Sequence, residues 1–595
     1  MRHFRLVIIM VVVCASACVW ANDEQAQTSS AHNLAHIRMS GEILHSPPPF
    51  TLFGDGEYMT LQDWLHRLAQ ARHDPKVTAI ALDIDSPEIS LAQAQELADA
   101  VSRLNEFKPV YAYLNSPRAP EHVIASAATK IHMDEADMLN IVGVGAEMFF
   151  FGRTLDRIGI EPQVVQIGTY KGASEPITRR EPSDALKEQY DWLLDDLYDQ
   201  LIERISVSRG LTRQQTVDAI DAGPLDGAGA VERGMIDGLA SKADWLEQIA
   251  QNVVNQEGAY GVMPNYGRKE SSQIDASNPL TLLNSLLRAR AQPEIKDPSI
   301  AIIHVDGIIV PGEGGETLFG QRMAGASSIM GAFREATEND RIKAVILRVD
   351  SPGGSALASE QIYQAARKCA QTKPVITSIG QVGASGGYYI ALGAEIIIAD
   401  PSSITGSIGV VSAKIAFTDL LDRIGVGRYE TLRGANAGMW LSRPWTQREM
   451  KIIEKHAQNT YELFLHRVRD SRGTRVTDIH AVTQGRIFTA RQAVNNGLVD
   501  RVGGLRDAVV LAEQSVGVSD AAFIVLPRTR SLADVLSGRE PTGPLGLPGA
   551  FDPAEEMLGL HAPARHAAGY MLGIIQCLRT ENVLLAMPEY VYISN

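Results

Sequence analysis

The chain of 595 residues has few of the features typical of disulfide-rich, zinc-binding or nucleic-acid-binding proteins. It contains four cysteines, of which Cys14 and Cys18 lie in an apolar N-terminal stretch. The other two, Cys369 and Cys577, are too isolated for a disulfide framework or a zinc site. A net charge of −15 argues against a nucleic-acid-binding role, for which a concentrated basic patch is typical.

Long hydrophobic runs are also scarce. The longest lies at the N-terminus, where the basic residues 1–5 precede an apolar run over residues 6–21. This is the pattern of a secretory signal or a short membrane anchor, although a spanning helix prefers about 20 apolar residues. Residues 1–21 therefore predict export, with cleaved and anchored forms both open.

The chain contains an internal duplication with an offset of about 265 positions. Matching stretches start at Ile37 and Ile303, at Ile80 and Val345, at Leu155 and Leu421, and at Glu232 and Asn495. The duplication predicts two homologous domains, 34–250 and 298–525. A linker over 251–297 is expected to join them, and a Pro/Gly-rich tail over 526–595 follows, with an apolar segment near its end.

Each half alternates short apolar, β-branched runs with helical stretches. In the C-terminal half the runs at 301–303, 345–347 and 395–398 are typical of buried parallel strands, and 358–370 is typical of a helix between them. This alternation predicts α/β layered domains with right-handed crossovers.

Two glycine-rich turns in the C-terminal half are candidates for catalysis. Gly353 and Gly354 follow a strand and would let backbone N–H groups face a carbonyl without side-chain obstruction. Ser385 lies in a small-residue turn before an expected helix, where it would be exposed, and Gly386 would supply a second N–H donor. Taken alone, a Gly-x-Ser-Gly-Gly sequence is as often a turn that caps a helix.

The duplication makes catalysis the better interpretation, because the two copies differ at these positions. Pro120 occupies the position of Ser385, and Glu88 with Ile89 replaces the two glycines. Conversely, the position equivalent to Lys171 in the second copy is Ala437. The asymmetry predicts one active site assembled from both halves.

Several motifs together resemble the signal peptide peptidase SppA (protease IV) family in its long tandem form. The resemblance spans residues 34–525. It rests on the stretches 348–354, 384–388, 405–410, 485–489 and 497–500, and on Tyr170 and Lys171.

This resemblance implies two domains of the Clp protease/crotonase type and a Ser/Lys-dyad serine protease. Ser385 would be the nucleophile and Lys171 the general base, with the oxyanion hole at Gly354 and Gly386. A lysine acts as a base only when it is neutral, and burial can lower its pKa to allow this. Such a lysine needs an uncharged hydrogen-bond partner, for which Ser407 and Thr405 are the candidates.

Three alternatives remain open at this stage. A Ser-His-Asp triad would need a histidine base, and His304 is the candidate, although it is also typical of a packed strand residue. A crotonase-like acyl-CoA enzyme would polarise a carbonyl in the same way but needs neither the N-terminal stretch nor Ser385. A non-catalytic exported scaffold would have no reason to retain Lys171, Gly354 and Ser385.

The resemblance also implies partners and a location. The expected substrates are remnant signal peptides and other small or unfolded exported peptides. The expected location is the inner membrane, with the catalytic part facing the periplasm, and the expected assembly is a homotetramer. No metal or organic cofactor is implied.

Overall fold

The computed structural model describes residues 32–48, 50–51, 58–254, 260–268, 295–316, 321–531 and 584–586. None of the described helices is long and apolar enough to cross a membrane. The N-terminal stretch 1–21, for which the sequence predicts a signal or an anchor, lies outside the described residues.

The N-terminal half is built around a parallel sheet of six strands. The strands of this half of the chain, including those outside the six-stranded sheet, are β1 (His32–Glu42), β2 (Phe50–Thr51), β3 (Val77–Glu88), β4 (Val110–Asn115), β5 (Lys130–Met133), β6 (Met138–Leu139), β7 (Glu161–Ile167), β8 (Leu225–Asp226), β9 (Gly238–Leu239) and β10 (Tyr260–Met263). Its helices are α1 (Leu61–His73), α2 (Leu91–Asn105), α3 (Ala119–Ala125), α4 (Gly152–Ile158), α5 (Glu175–Thr178), α6 (Asp184–Arg209), α7 (Arg213–Asp221), α8 (Gly227–Glu232) and α9 (Lys242–Val254). The sheet order is β10-β1-β3-β4-β5-β9, and β6 pairs with β8 separately.

The C-terminal half repeats this plan with a larger sheet. Its strands are β11 (Ser299–Asp306), β12 (Ile308–Val310), β13 (Gly314–Glu316), β14 (Arg322–Gly325), β15 (Ile342–Ser351), β16 (Gly353–Ser355), β17 (Val375–Ala384), β18 (Ile396–Ala399), β19 (Ile404–Gly406), β20 (Val410–Ala416), β21 (Ile487–Thr489), β22 (Arg501–Val502), β23 (Ala522–Leu526), β24 (Arg530–Ser531) and β25 (Leu584–Ala586). Its helices are α10 (Ala326–Glu338), α11 (Ala356–Ala370), α12 (Gly386–Ala391), α13 (Thr418–Arg423), α14 (Gln447–Arg472), α15 (Ile479–Val482), α16 (Ala490–Asn495) and α17 (Leu505–Val516). The main sheet runs β21-β19-β17-β15-β11-β23, and β18 pairs with β17 and β22.

The α/β prediction is confirmed in both halves. The apolar runs form parallel pairs such as β11 with β15 and β15 with β17, and their side chains lie in the core. Helices begin where a polar residue satisfies free backbone N–H groups: Thr60 and Ser90 each form a capping box at the start of α1 and α2.

A third sheet joins the two halves. Its order is β13-β14-β12-β16-β25-β20-β7, so β7 of the N-terminal half pairs antiparallel with β20 of the C-terminal half. Ion pairs reinforce this contact: Arg491 binds Asp196 of α6 at 2.7 Å, and the buried Arg348 binds Glu96 of α2. The halves are therefore docked through both backbone and side chains.

Two expectations about domain boundaries need correction. Strand β10 lies within 251–297, the predicted linker, and pairs with β1, so the N-terminal sheet extends into that segment. Tyr266 is buried and its hydroxyl bonds Asp74 at 2.9 Å. The predicted C-terminal boundary also falls inside β23, which pairs with β11. These segments are short and weakly periodic, so the sequence alone does not distinguish them from a linker.

Candidate active site

Ser385 lies at the junction of β17 and α12. Its backbone φ is +54°, a region that residues with a side chain seldom adopt and that often marks functional positions. The conformation is held by the Ser385 N–H, which donates to the Gly406 carbonyl at 2.8 Å, and by the Tyr389 N–H, which donates to the Ser385 carbonyl at 2.8 Å. Contrary to the sequence expectation of an exposed turn, Ser385 is fully buried.

Lys171 reaches Ser385 from the other half of the chain. Its Nζ lies 2.6 Å from Ser385 Oγ and donates to the carbonyl and the Oγ of Ser407 at 2.8 and 2.9 Å. The side chain is 0% exposed. This burial lowers the pKa of Lys171 well below its usual range.

Of the two candidate partners for the lysine, the structure brings only Ser407 to it. Ser407 has a φ of +55°, and its N–H donates to the Arg486 carbonyl at 2.6 Å. Thr405 instead donates its hydroxyl to the Gly383 carbonyl at 2.8 Å, within the pair of strands β17 and β19. Thr405 is two residues before Ser407, and its hydroxyl is occupied by this neighbouring strand.

Glycines enclose Lys171 in a way the sequence did not reveal. A side chain on Gly485 would place Cβ 2.4 Å from the Lys171 backbone nitrogen, and one on Gly409 would approach Lys171 Cδ to 3.1 Å. Both positions therefore allow a close approach that larger residues would block. Gly485 falls in one of the stretches that carry the family resemblance. Its contact with the Lys171 backbone explains physically why a glycine is needed at this position.

Arg486, next to Gly485, binds the segment that contains Lys171 and so attaches it to the C-terminal half. The guanidinium of Arg486 lies 3.7 Å from the ring centroid of Tyr170, hydrogen-bonds its hydroxyl, and pairs with Glu188 at 3.3 Å. The Tyr170 N–H donates to the Gln484 carbonyl at 2.8 Å. The position of Lys171 thus depends on residues about 315 positions further along the chain.

The glycine turn lies beside Ser385. Gly353 and Gly354 have φ values of +108° and +152°, which favour glycine. A Cβ on Gly386 would lie 3.1 Å from the Gly354 nitrogen, so the two predicted N–H donors are neighbours. A Cβ on Gly354 would lie 2.1 Å from the Ile309 carbonyl oxygen, which leaves no room for a side chain.

Asp350 and Arg348 lie near the end of β15, the strand that leads into this turn, and their contacts hold it in place. Asp350 accepts the Gln381 N–H at 2.9 Å and pairs with Nδ1 of His45 at 2.6 Å. Although burial opposes its ionisation, the charge and hydrogen bond of His45 hold the pKa of Asp350 below its usual range. His45 belongs to the N-terminal half and raises no signal in the sequence.

His304 does not take the place of the lysine. It is buried in β11, in register with Arg348 of β15. Burial, reinforced by the charge of Arg348, lowers its pKa to about 3. Among the described residues, Lys171 is the titratable side chain that hydrogen-bonds Ser385.

The family of the chain follows from comparison with known proteins. The family model described as Peptidase family S49 matches twice, over residues 102–255 and 367–519. The chain belongs to peptidase family S49. Each match falls in one half, which agrees with the duplication, and the SppA resemblance inferred from the motifs is confirmed.

Curated S49 relatives extend over most of the chain. It is 29% identical over 492 residues to the chloroplastic serine protease SPPA of Arabidopsis thaliana, covering 81% of this chain and 70% of the relative. It is 30% identical over 467 residues to Protease 4 of Haemophilus influenzae, covering 76% and 72%. These similarities support a serine-type peptidase rather than an acyl-CoA enzyme.

Solved structures show weaker likenesses. A mutant of the 1510-N membrane-bound stomatin-specific protease, in complex with a substrate peptide, is 16% identical, with a TM-score of 0.25. The match covers 40% of this chain and 96% of the other. A mutant of ClpP1 from Listeria monocytogenes is 14% identical, with a TM-score of 0.23, and the match covers 38% and 99%.

Proposed function

We propose that this S49 peptidase is an endopeptidase in which Ser385 is the nucleophile and Lys171 the general base. The observation that carries the proposal is the 2.6 Å separation of Lys171 Nζ and Ser385 Oγ in a fully buried site. This distance is within hydrogen-bond reach of a base and the proton it removes. The same geometry is not expected of a scaffold that has lost its chemistry.

The hydrogen bonds around Lys171 suit a neutral amine. A neutral amine has two N–H donors and one lone pair. The carbonyl and Oγ of Ser407 take the two donors, which leaves the lone pair facing the Ser385 hydroxyl. Burial lowers the pKa of Lys171 and so favours this neutral form, which is the form that can accept the serine proton.

The reaction then proceeds in two stages. Ser385 Oγ attacks the substrate carbonyl carbon while its proton moves to Lys171, and the developing oxyanion is stabilised by the N–H groups of Gly354 and Gly386. The C–N bond breaks, and the leaving amine takes the proton from Lys171. Water then hydrolyses the ester, giving its proton to Lys171, which returns it to Ser385.

The function is tested by incubating the purified full-length chain with internally quenched peptides whose central residues are apolar or small. We expect internal cleavage, detected by fluorescence and located by mass spectrometry. Peptides with charged residues at the same positions are the matched control. Absence of hydrolysis for every peptide, with the chain folded by circular dichroism, would contradict the proposal.

Replacing Gly354 by alanine should reduce kcat by about 10²–10³, because the turn must move away from Ile309 and its N–H loses alignment with the oxyanion. Gly331→Ala is the matched control. Gly331 lies in α10 with no atom near its Cβ position, so activity should be unchanged. Equal kcat values for the two variants would show that Gly354 does not contribute to the oxyanion hole.

The proposed substrates are remnant signal peptides and other small or unfolded exported peptides, and the proposed location is the inner membrane with the site facing the periplasm. The basic residues and apolar run of 1–21 support export. The burial of both Ser385 and Lys171 supports a preference for extended peptides, because a folded surface would not reach the site.

The repeat further suggests how copies of the chain would assemble. Within one chain, β7 pairs with β20. With the offset of 266 positions that separates Leu155 from Leu421, the counterpart of β20 in the first repeat is 144–150, and the counterpart of β7 in the second is 427–433. Neither counterpart belongs to a strand among the described residues, and both carry exposed apolar side chains, including Phe149 and Tyr429. Head-to-tail pairing of these stretches would close a ring, for which we propose a homotetramer.

Charges introduced into the 427–433 stretch should break this assembly. We expect the wild-type chain to sediment at a multiple of 64.6 kDa and Tyr429→Asp with Leu432→Asp to sediment as a single chain. Val207→Asp is a suitable control, because Val207 is 78% exposed on α6, outside both stretches. A wild-type monomer, or an intact assembly of the double variant, would refute the ring.

A further inference from the structure

A short segment of the N-terminal half crosses to the strands that lead into the proposed site. It follows β1 and carries His45 and Ser46. Ser46 Oγ donates to Asp306 at 2.8 Å, and Arg322 donates to the Ser46 carbonyl at 2.8 Å, so the segment is held against the C-terminal half. His45 thereby reaches the end of β15, where its Nδ1 lies 2.6 Å from the carboxylate of Asp350.

Asp350 bridges β15 and β17 at the point where their ladder is interrupted. The register of the two strands shifts just before the glycine turn, and Asp350 lies opposite residues 380–382 of β17. Its carboxylate accepts the N–H groups of Gln381 and Val382 from this bulge at 2.9 and 3.3 Å. A Cβ on Gly380 would lie 2.6 Å from the same carboxylate, so a glycine is needed there.

The two strands joined by Asp350 lead to the two parts of the proposed site. Strand β15 continues into the turn that contains Gly354, and Ser385 follows directly after β17. A shift of one strand against the other would therefore move the proposed oxyanion donors relative to the nucleophile. Burial opposes ionisation of the pair, but mutual attraction raises the pKa of His45 and lowers that of Asp350, which leaves the carboxylate free to accept.

The duplication shows that this contact is specific to the half that carries the serine. The counterpart of Asp350 in the first copy, at an offset of 265 positions, is Asp85, which pairs with the exposed Arg38. Strands β3 and β4 keep their register up to that residue. The counterpart of His45 in the second copy, at an offset of 266 positions, is Pro311. Like the proposed base, this histidine occurs in one copy and contacts the other.

We propose that His45 is a positioning residue of the peptidase: by holding Asp350, it keeps the glycine turn aligned with Ser385. The inference rests on the proposed function, because this alignment matters only if the turn and the serine act on one substrate carbonyl. A displacement of about 1 Å between reacting groups can reduce the rate about 10²-fold. The loss should appear in kcat rather than in KM, because the alignment is needed in the transition state.

Kinetics of four variants test the inference. His45→Ala should lower kcat for a quenched peptide by about 10–10²-fold with KM nearly unchanged. His45→Phe keeps a ring without an N–H and should behave in the same way, so the result does not depend on one variant. His45→Asn retains an N–H donor near the position of Nδ1 and should restore most of kcat. His36→Ala is the matched control, because His36 is 19% exposed, against 20% for His45, and its Nε2 lies 3.7 Å from Asp83 in the other sheet.

Hydrogen exchange supplies a second readout that does not require hydrolysis. The amides of residues 380–387 should exchange faster in His45→Ala and at the wild-type rate in His36→Ala. Wild-type kcat in His45→Ala, a loss that His45→Asn does not restore, or unchanged exchange would each overturn the inference while the wild-type chain still hydrolyses peptides. Failure of the proposed function would appear differently, as no hydrolysis by the wild-type chain, and it would overturn this inference with it.

Discussion

Replacing Lys171 by methionine or Ser385 by alanine is expected to reduce kcat/KM for peptide hydrolysis by about 10⁴-fold or more. In the proposed mechanism no acyl-enzyme forms without Ser385, and the serine hydroxyl has no base without the Lys171 amine. When two residues act as one catalytic unit, replacing either one already causes a loss of this size. The variant with both replacements should therefore lose little further activity. Initial rates with a quenched peptide provide the measurement.

The control for Lys171→Met must remove another lysine whose amine donates to main-chain carbonyls in a partly buried position. Lys373 is suitable, because its Nζ donates to the carbonyls of Ala336 and Asn339 at 2.6 and 2.7 Å, and burial lowers its pKa. Lys373→Met should retain near wild-type turnover. If Lys171→Met remains active while Ser385→Ala is inactive, a different base serves the serine. If Lys171→Met and Ser385→Ala both remain active, hydrolysis depends on residues other than these two.

The activity should fall at low pH, because the general base must lose its proton before it can act. Because burial lowers the pKa of Lys171, the neutral amine is available at pH values where an ordinary lysine, with a pKa near about 10.4, is charged. Below the pKa of Lys171, kcat/KM should fall about tenfold for each pH unit. A profile that rises towards acid pH would contradict a neutral-lysine base.

The lowered pKa of Lys171 also makes the free energy of unfolding depend on pH. Between the folded pKa of Lys171 and about 10.4, the unfolded chain binds one more proton than the folded chain, so folding becomes more favourable as pH rises. The slope is about 1.4 kcal/mol per pH unit in that window and vanishes above it. Lys171→Met should lose this pH-dependent contribution, which denaturant unfolding at several pH values would reveal. An unchanged slope would mean that the lysine is not desolvated.

The sequence anticipates much of the site because the information is local or repeated. Ser385 and the glycine turn follow strands that periodicity identifies, and the loss of Lys171 from the second copy is visible by counting. The positions of Gly485, Arg486 and His45 were not predicted. Their roles depend on contacts between residues hundreds of positions apart, which no local pattern records.

The same reasoning explains the fold-level errors. Strand β10 was predicted as linker because four residues are too few to show alternation, and its pairing with β1 joins residues more than about 200 positions apart. The pairing of β7 with β20 likewise depends on how two folded halves meet. Thr405 was a candidate on proximity in sequence, whereas the strand geometry directs its hydroxyl to Gly383.

The contact between Gly485 and Lys171 also means that the proposed site needs residues far along the chain to be complete. A growing chain that has emerged as far as residue 480 already contains both Lys171 and Ser385. It still lacks the Gln484 carbonyl that receives the Tyr170 N–H, and the Arg486 carbonyl that receives the Ser407 N–H. The hydrogen bonds that hold Lys171 and Ser407 in place are therefore supplied only by residues four-fifths of the way along the polypeptide, so any shorter chain lacks part of the proposed site.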